Sequence, residues 1–353
     1  MITRDLEPST DAAGVPTAWV PRASDEFLHS PDGDPAMPWK ETWFIGAYDL
    51  VNGFALSLHM TVSPERAEDT RVAVAVRLGA REGLGVRIEA GCSDGDVFGN
   101  SLARLRVVNS SWNSDHELRL VGEVEGCSFD LAISGNHWAT LWDRMFPGFY
   151  QTGHASSHSY GHAEQSLLFT GTVGWADAEP TEVNGWGWRD RGWGRRRSTS
   201  SFSAGYDMVN GVLADGGVFT LMAFRNPDLP TDSPLPLGGW YSDDTTLIPA
   251  VSGTFWKDSI GWPERIDLTF SDGRTLRSRL HRRHFSIAVP FHDAAHELVS
   301  AAHGIRDYFG ELVDSDGAVF PVHANSGHMH LANVTASSTF VFADPAEGTR
   351  SGS

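Results

Sequence analysis

The chain is poor in cysteine: its 353 residues include only Cys92 and Cys127. Two thiols can form neither a disulfide framework nor a cysteine-rich zinc site, so the composition fits a reducing compartment. The N-terminal residues lack the apolar core of a signal peptide. No run approaches the roughly 18 apolar residues that a membrane helix needs. The sequence therefore predicts a cytoplasmic protein without a membrane span.

Basic residues are also scarce, because 27 lysines and arginines face 45 aspartates and glutamates and leave a formal charge of −18. A nucleic-acid backbone or an anionic membrane needs a basic partner surface, so this charge argues against both. The sequence has no phosphate-cradling Gly-Lys-Ser/Thr loop, nucleophile elbow or dinucleotide fingerprint. We therefore expect no nucleic-acid partner.

Long helical runs are few, and the dominant hydrophobic period is that of β-strands. Residues 72–78, 117–124 and 265–270 alternate or are rich in β-branched side chains, and turn signals such as Asp272-Gly273 separate such segments. Only residues 293–302 are a helix candidate. With 41% hydrophobic residues, the length is sufficient for two β domains with sizeable cores.

An internal repeat supports two domains. Residues 47–53 (Ala-Tyr-Asp-Leu-Val-Asn-Gly) recur as residues 205–211 (Gly-Tyr-Asp-Met-Val-Asn-Gly). We interpret both copies as equivalent hairpins, in which Asn-Gly supplies the positive φ angles of a tight turn. The predicted organisation is an N-terminal arm (1–37), a first β domain (38–178), a second β domain (179–343) and a disordered tail (344–353).

The most unusual segment is residues 185–195, which combine three tryptophans, four glycines, three arginines and one aspartate. A surface loop does not need so many aromatic side chains, and a core strand cannot easily bury so much charge. We predict a strand that enters an apolar cavity, with Arg189 and Asp190 held as a hydrogen-bonded pair. The segment His162-Ala-Glu-Gln165 precedes it in the chain.

These two segments resemble the double lipocalin-like superfamily, which includes carotenoid 1,2-hydratases, AttH-like proteins and decalin-forming Diels–Alderases. The resemblance rests on His162-x-Glu-Gln165 and on Gly-x-Gly-x-Arg-Asp-x-x-Trp-Gly-x-Arg at residues 185–196, and it is closest to poorly characterised bacterial members. The motif that is usual in those members is Arg-Asp-His-Ser-Trp-Gly, so in this chain Arg191 and Gly192 replace the common His and Ser. The resemblance implies two tandem antiparallel β-barrels or sandwiches, with ligand cavities in or between them. It also implies activity on isoprenoid chains or polyenes without metal, nucleotide or flavin, and hence no cofactor.

Asp190 is the first candidate for a catalytic acid, because protonation of an alkene requires a neutral carboxylic acid. Burial among Trp186, Trp188 and Trp193 would raise its pKa and keep it neutral. Arg189 would orient the acid, although neighbours along a strand face opposite sides and need not touch. The structural alternative is a salt-bridge network between the domains.

Glu164 and His162 share a strand face by period two, whereas Gln165 faces away. Glu164 could supply the acid or hold a water molecule, with His162 as its orienting partner. Polar packing at the domain interface is the alternative. Tyr48 and Tyr206 occupy equivalent positions of the repeat, and with Gln165 and the three tryptophans they complete the predicted substrate-binding residues.

A metal site is the less favoured interpretation of the histidines. His154, His158 and His162 recur every four residues, and His328 and His330 have the spacing of a strand pair. Three imidazoles on one helix face would suit zinc. The first segment is rich in Gly and Ser and is a poor helix, so we predict no metal site.

The leading hypothesis is a cofactor-independent enzyme that acts on a hydrophobic isoprenoid or polyene substrate. The reaction would be acid-initiated hydration, dehydration, isomerisation or cyclisation, which makes the protein a hydratase or an isomerase and cyclase. The alternatives are a non-catalytic carrier of a lipophilic ligand and a pericyclase that folds a polyene into a reactive shape. The sequence leaves a homodimer open.

Overall fold

The structure is a computed structural model. It describes residues 19–33, 35, 39–62, 69–145, 161–195, 206–224, 235–243, 245–257, 262–290, 304–328 and 338–342. The predicted helix at 293–302 and the predicted tail at 344–353 lie outside the described residues. The described part is nearly all β, with nineteen strands, two short α-helices and one short 3-10 helix, so the predicted fold class is confirmed.

The first ten strands form one antiparallel sheet. Their bounds are β1 Trp39–Asp49, β2 Phe54–Val62, β3 Asp69–Leu78, β4 Arg81–Ala90, β5 Ala103–Asn109, β6 Glu117–Val124, β7 Cys127–Gly135, β8 Thr140–Leu141, β9 Gly161–Trp175 and β10 Thr181–Arg195. The strand order is β4-β3-β2-β1-β10-β9-β7-β6-β5, and β8 pairs with β9. Helix α1 (Asp94–Phe98) follows β4, and helix α2 (Trp142–Met145) follows β8. The sheet is curved into a half-barrel whose edges are β4 and β5.

The remaining strands form a closed barrel. Their bounds are β11 Tyr206–Val212, β12 Val218–Phe224, β13 Leu235–Ser242, β14 Leu247–Lys257, β15 Pro263–Phe270, β16 Thr275–Pro290, β17 Gly304–Asp314, β18 Val319–His328 and β19 Ser338–Phe342. Pairing of β11 with β18 closes the ring. Strand β19 pairs in parallel with β13 and antiparallel with β14, while β13 and β14 also pair directly further along.

Hydrogen bonding assigns the tryptophan-rich strand β10 to the first sheet. It pairs with β1 over Trp39–Tyr48 and with β9 over Gly161–Val173. The sequence predicted that this strand begins the second domain, with a boundary between residues 178 and 179. The change from one sheet to the other instead falls between Arg195 and Tyr206. The predicted domain boundaries therefore stay a prediction, and β10 belongs by pairing to the first half.

The two copies of the repeat have different local structures. Asn52 and Gly53 lie in the turn between β1 and β2, where Gly53 has a φ of 63°. Asn210 and Gly211 lie inside β11 and pair with both β12 and β18. The interpretation as two equivalent hairpin turns is therefore wrong for the second copy. Its turn comes later, where Leu213 N bonds to the carbonyl of Gly217.

Each sheet has a filled inner face. Alternation sends Val72, Val74 and Val76 of β3 to the core of the half-barrel, where they meet Leu167 and Phe169 of β9. In the closed barrel, side chains such as Phe219, Tyr308 and Val322 point inward and form a second core. Both interiors are therefore occupied by protein side chains.

The two units meet through their outer faces. Ala73 and Ala75, which alternate with the core valines of β3, cluster with Tyr48 and with Ile287 and Phe309 of the barrel. A second cluster joins Trp142, Trp188 and Met145 to Met208, Met222 and Trp240. We call this outer-face contact the interdomain seam. No helix in the described part of the chain has the length and apolar character needed to span a membrane.

The N-terminal segment crosses the inner side of the half-barrel. It contains the 3-10 helix Ala23–Glu26, and the carbonyl of Glu26 accepts a hydrogen bond from Trp43 Nε1 at 3.1 Å. Leu28 N donates to Asp94 Oδ1 at 2.9 Å, and Arg191 Nη2 donates to the carbonyl of Phe27 at 2.7 Å. These bonds attach the segment to β1, α1 and β10.

Candidate active site

The register between β9 and β10 assembles the candidate site. Glu164 lies opposite Asp190, His162 opposite Gly192, and Gln165 opposite Arg189. Because successive side chains of a strand alternate between faces, this register sends Glu164 and Asp190 to the outer face at the interdomain seam. Arg189 and Gln165 point to the inner face.

Three ionisable side chains meet there. His162 Nε2 lies 2.7 Å from Glu164 Oε1, and Trp188 Nε1 donates a hydrogen bond to Glu164 Oε2. One ligand-type atom of each of His162, Glu164 and Asp190 lies within 4.8 Å of those of the other two. Glu164 is fully buried, His162 is buried, and Asp190 is partly exposed. The arrangement thus places one enclosed carboxyl group behind one that solvent reaches.

Burial determines the protonation of this group. It raises the pKa of Glu164 well above its usual range, and the hydrogen bond from Trp188 opposes that shift only in part. A neutral Glu164 can donate its Oε1 proton to His162 while Oε2 accepts from Trp188. Asp143 of α2 lies beside this group and accepts from the backbone N–H of His162 at 3.4 Å, and burial raises its pKa too. No sequence pattern had indicated Asp143.

The surroundings of Glu164 are aromatic and rich in methionine. Trp188 stacks on Trp240 of the barrel with a centroid distance of 5.6 Å and an interplanar angle of 29°. Met208 and Met222 of the barrel belong to the same cluster. Methionine is flexible and polarisable, so it adapts to apolar ligands of irregular shape. The site therefore joins a neutral acid to an apolar wall contributed by both units.

Arg189 has a different partner from the predicted one. Its Nη2 binds both carboxylate oxygens of Glu26, at 2.8 and 2.6 Å, and its guanidinium carbon lies 4.1 Å from the ring centroid of Trp112. Nη1 donates to Nε2 of His116. All these side chains lie on the inner side of the half-barrel, behind the sheet from Asp190. The sequence predicted a pair of Arg189 with Asp190, whereas the structure pairs Arg189 with Glu26.

Other predicted site residues divide between the two faces. Trp186 lies at the interdomain seam, 5.3 Å from the ring of Tyr48. Trp193 stacks on His29 of the N-terminal segment at 4.6 Å, on the inner side. Gln165 Nε2 donates to the carbonyls of Asn113 and His137, which is a structural role.

Tyr206 begins β11 opposite Phe224, and its side chain is outside the described part.

Three of the predicted site residues do not line one cavity with Asp190, because the side chains of Trp193, Gln165 and Arg189 lie on the inner face of the half-barrel.

A second polar cluster lies in the interdomain seam, and of its members the sequence had indicated only Tyr48 as a site residue. Asp307 Oδ1 lies 2.8 Å from His323 Nε2, and Ser57 Oγ donates to Asp307 Oδ2 at 2.9 Å. Tyr48 Oη is 3.5 Å from His323 Nε2, and Asn210 Nδ2 is 3.4 Å from His323 Nδ1. All five side chains are buried. A signal was present in the sequence, since Ser57 interrupts an apolar strand.

Gly46 makes room for Tyr48 in this cluster. A Cβ atom on Gly46 would lie 1.6 Å from Tyr48 Oη and 2.4 Å from Cζ. The phenol therefore lies directly over the backbone of Gly46, the residue that pairs with Trp188 on one side and Ser57 on the other. Burial raises the pKa of Tyr48 well above its usual range, so the hydroxyl keeps its proton.

The described histidines place the metal hypothesis on different residues. His154, His158 and His330 lie outside the described part, whereas His162 lies with Glu164 and Asp190. These three could offer one nitrogen and two oxygen ligands. Both oxygens of Glu164 already have partners, and the raised pKa of this group favours its neutral form. The donor set therefore fits a proton-holding cluster better than a metal centre.

The fold defines the class of protein. The described chain consists of two tandem lipocalin-like β units, as the sequence predicted. A protein of Nitrosomonas europaea, provisionally assigned as AttH, has the same fold, with a TM-score of 0.52 and 14% identity. The match covers 85% of this chain and 97% of that one. The chain itself belongs to the DUF7064 family, a domain of unknown function, whose model matches residues 22–305.

Two further solved structures are more distant. Kievitone hydratase of Nectria haematococca matches with a TM-score of 0.48 and 11% identity, over 92% of this chain and 96% of that one. CghA matches with a TM-score of 0.47 and 10% identity, over 89% of this chain and 95% of that one. No curated protein matches the sequence.

Proposed function

We propose that the protein is a cofactor-independent enzyme that protonates an alkene of a hydrophobic isoprenoid or polyene substrate at the interdomain seam. The observation that carries this proposal is the buried Glu164, held between His162 and Trp188 with Asp190 beside it. The reaction is acid-initiated hydration, dehydration, isomerisation or cyclisation. The class agrees with the reactions that the superfamily resemblance implies.

Asp190 is the donor that meets the substrate, because it is the partly exposed carboxyl group of the cluster. Glu164 holds a proton behind it, and His162 relays that proton between the two carboxyl groups. The alkene π electrons form a new C–H bond with the proton of Asp190, which leaves a carboxylate and a tertiary carbocation. The cation then adds water, loses a proton from a neighbouring carbon, or is attacked by a second alkene.

The apolar wall of the site supports the substrate class. Trp188 and Trp240 stack on each other beside Glu164, and aromatic rings stabilise a nearby cation. The low polarity of this wall also strengthens the electrostatic interactions of the charged intermediate. We place the substrate between the two units, because Glu164 and Asp190 face that side of the half-barrel.

The test is incubation with acyclic terpenoids and polyenes in D2O, followed by mass spectrometry. Asp190→Asn and Glu164→Gln are compared with Glu123→Gln, which changes an exposed carboxyl group of β6 and serves as the matched control. We expect carbon-bound deuterium in a hydrated or rearranged product of the wild type. The two site variants should lose about 10²–10⁴ in rate, the usual contribution of a general acid, and Glu123→Gln should be unaffected.

The other outcomes discriminate between the alternatives. An unlabelled isomer, formed equally by Asp190→Asn, would identify a pericyclase. Saturable binding of a terpenoid without any product would identify a carrier. A labelled product from both site variants at the wild-type rate would move the acid to another residue.

A further inference from the structure

A row of side chains crosses the interdomain seam from the carboxyl cluster to a histidine. Asp190 of β10 lies opposite Phe44 of β1, and Phe44 lies opposite His59 of β2. Neighbouring strands are about 4.8 Å apart, so the Cα atoms of Asp190 and His59 are separated by about 10 Å. Both outer residues are partly exposed and Phe44 is buried between them. The row therefore has a carboxyl group at one end and an imidazole at the other.

His59 has an unused ring nitrogen. Its ring packs on Phe44 with a centroid distance of 4.6 Å, and its Nε2 atom is buried without a hydrogen-bond partner among the described residues. Three neighbouring polar side chains of the seam do have partners, because Ser57 and His323 both bond to Asp307. A buried polar atom without a partner costs free energy that a phenylalanine or leucine here would avoid. An imidazole at this position therefore calls for a role beyond packing.

His59 is neutral over the physiological range. Burial is the main cause and lowers its pKa to about 4, with Asp307 opposing the shift and His323 adding to it. A neutral imidazole carries a lone pair that accepts a proton. A pKa of about 4 is sufficient here, since water bound to a carbocation is a far stronger acid than an imidazolium ion.

We propose that His59 is the base that completes the reaction begun at Asp190, by taking a proton from the water that adds to the cation. This inference rests on the proposed function. In hydration, the water oxygen forms the C–O bond and its O–H electrons stay on oxygen while the proton moves to His59 Nε2. The products are a tertiary alcohol, an Asp190 carboxylate and a protonated His59, and proton exchange with solvent restores both groups.

The proposal also restricts the substrate. The proposal places the reacting carbons between Asp190 and His59, whose Cα atoms are about 10 Å apart. An extended chain with a trisubstituted alkene suits this reaction, because protonation of such an alkene gives a tertiary cation. A substrate with a single terminal vinyl group would give no tertiary cation and would be a poor reactant.

The experiment follows two labels in D2O with farnesol as the probe. Deuterium in a hydrated product reports the complete reaction, and deuterium washed into recovered farnesol reports protonation followed by return to the alkene. The variants are His59→Gln, His59→Ala with and without added imidazole, Glu164→Gln, and His281→Gln. The last variant makes the same change at an exposed histidine of β16 and is the matched control.

The expected result separates the two steps. His59→Gln should lower hydrated product by about 10²-fold or more while wash-in of deuterium continues, because the acid is intact and the Asp190 carboxylate can take a protium from a carbon next to the cation, which leaves the added deuterium in the alkene. Imidazole should restore product in His59→Ala, where the missing ring leaves space. Glu164→Gln should lose both labels, and His281→Gln neither.

Several results would overturn the proposal. Wild-type product formation in His59→Gln would eliminate the base but leave the proposed function intact. Loss of both labels in His59→Gln, with no recovery of His59→Ala in imidazole, would show that His59 supports the fold or the acid instead. Absence of both labels in the wild-type protein would remove the proposed function and the base together.

Discussion

Replacing Glu26 tests a deeply buried ion pair of the half-barrel. Its carboxylate binds Arg189 through two hydrogen bonds of 2.8 and 2.6 Å, and the side chains of Glu26 and Arg189 are 0% and 1% exposed. His116 cannot replace the lost negative charge. Burial and the neighbouring Arg189 lower its pKa to about 2, so it is neutral and only accepts a hydrogen bond. In Glu26→Leu the guanidinium would therefore stay buried without a counter-charge.

The expected loss of stability is about 3–5 kcal/mol, the usual cost of removing one partner from a buried pair. The double variant Glu26→Leu/Arg189→Met should recover most of it, because an apolar pair of similar volume needs no counter-charge. Urea unfolding followed by tryptophan fluorescence measures both. Asp130→Ala, which breaks an exposed pair with Arg119, should cost less than about 1 kcal/mol. A double variant as unstable as the sum of the two single variants would refute this reasoning, since it would show that packing and not charge dominates.

Three more predictions concern single side chains. In Gly46→Ala the new methyl group would overlap the Tyr48 ring, so we expect a loss of about 1–3 kcal/mol in urea unfolding. Tyr48→Ala is itself destabilising, but Gly46→Ala should cost less in that background than in the wild type, because the ring is gone. An unchanged midpoint in Gly46→Ala would contradict the contact. The folded pKa of Glu164 is raised, so its contribution to stability is full below the unfolded value of 4.5 and is lost as pH rises. The stability of Glu164→Gln relative to wild type should therefore increase from pH 5 to pH 8, and a constant difference would show that this carboxyl ionises freely in the fold. Cys92 should react with a thiol reagent in the native protein, whereas Cys127, buried and with a pKa raised to about 11, should react only after unfolding; two native thiols would contradict this burial.

Local alternation was enough to predict part of the site. His162 and Glu164 are two residues apart on one strand, and their side chains do share a face and touch, while Gln165 points to the other side. The same rule separates Arg189 from Asp190, so the predicted hydrogen bond between them is wrong, although the sequence already indicated that neighbours along a strand need not touch. The two-residue period of a strand thus predicts which side chains share a face of the sheet, but it does not predict which distant residues contact that face.

The remaining partners depend on contacts between distant parts of the chain. Glu26 meets Arg189 across 163 residues, and Tyr48 meets His323 across 275. No local pattern encodes such pairs, because strand order and register are set by the whole packed sheet. Asn210 illustrates the same limit. Its Asn-Gly pair matches a turn signal, yet two neighbouring strands hold it in a straight ladder where its amide reaches His323.

The position of the polar clusters has a consequence for how such a protein changes. In the half-barrel and in the closed barrel, apolar side chains form the inner core, whereas the carboxyl cluster and the Asp307–His323 cluster lie on outer faces between the two units. Under the proposed function, substitutions between the units would alter the length or shape of the accepted molecule without disturbing either core. Substrate selectivity and stability of the fold would then depend on different sets of residues, so each could change while the other is kept.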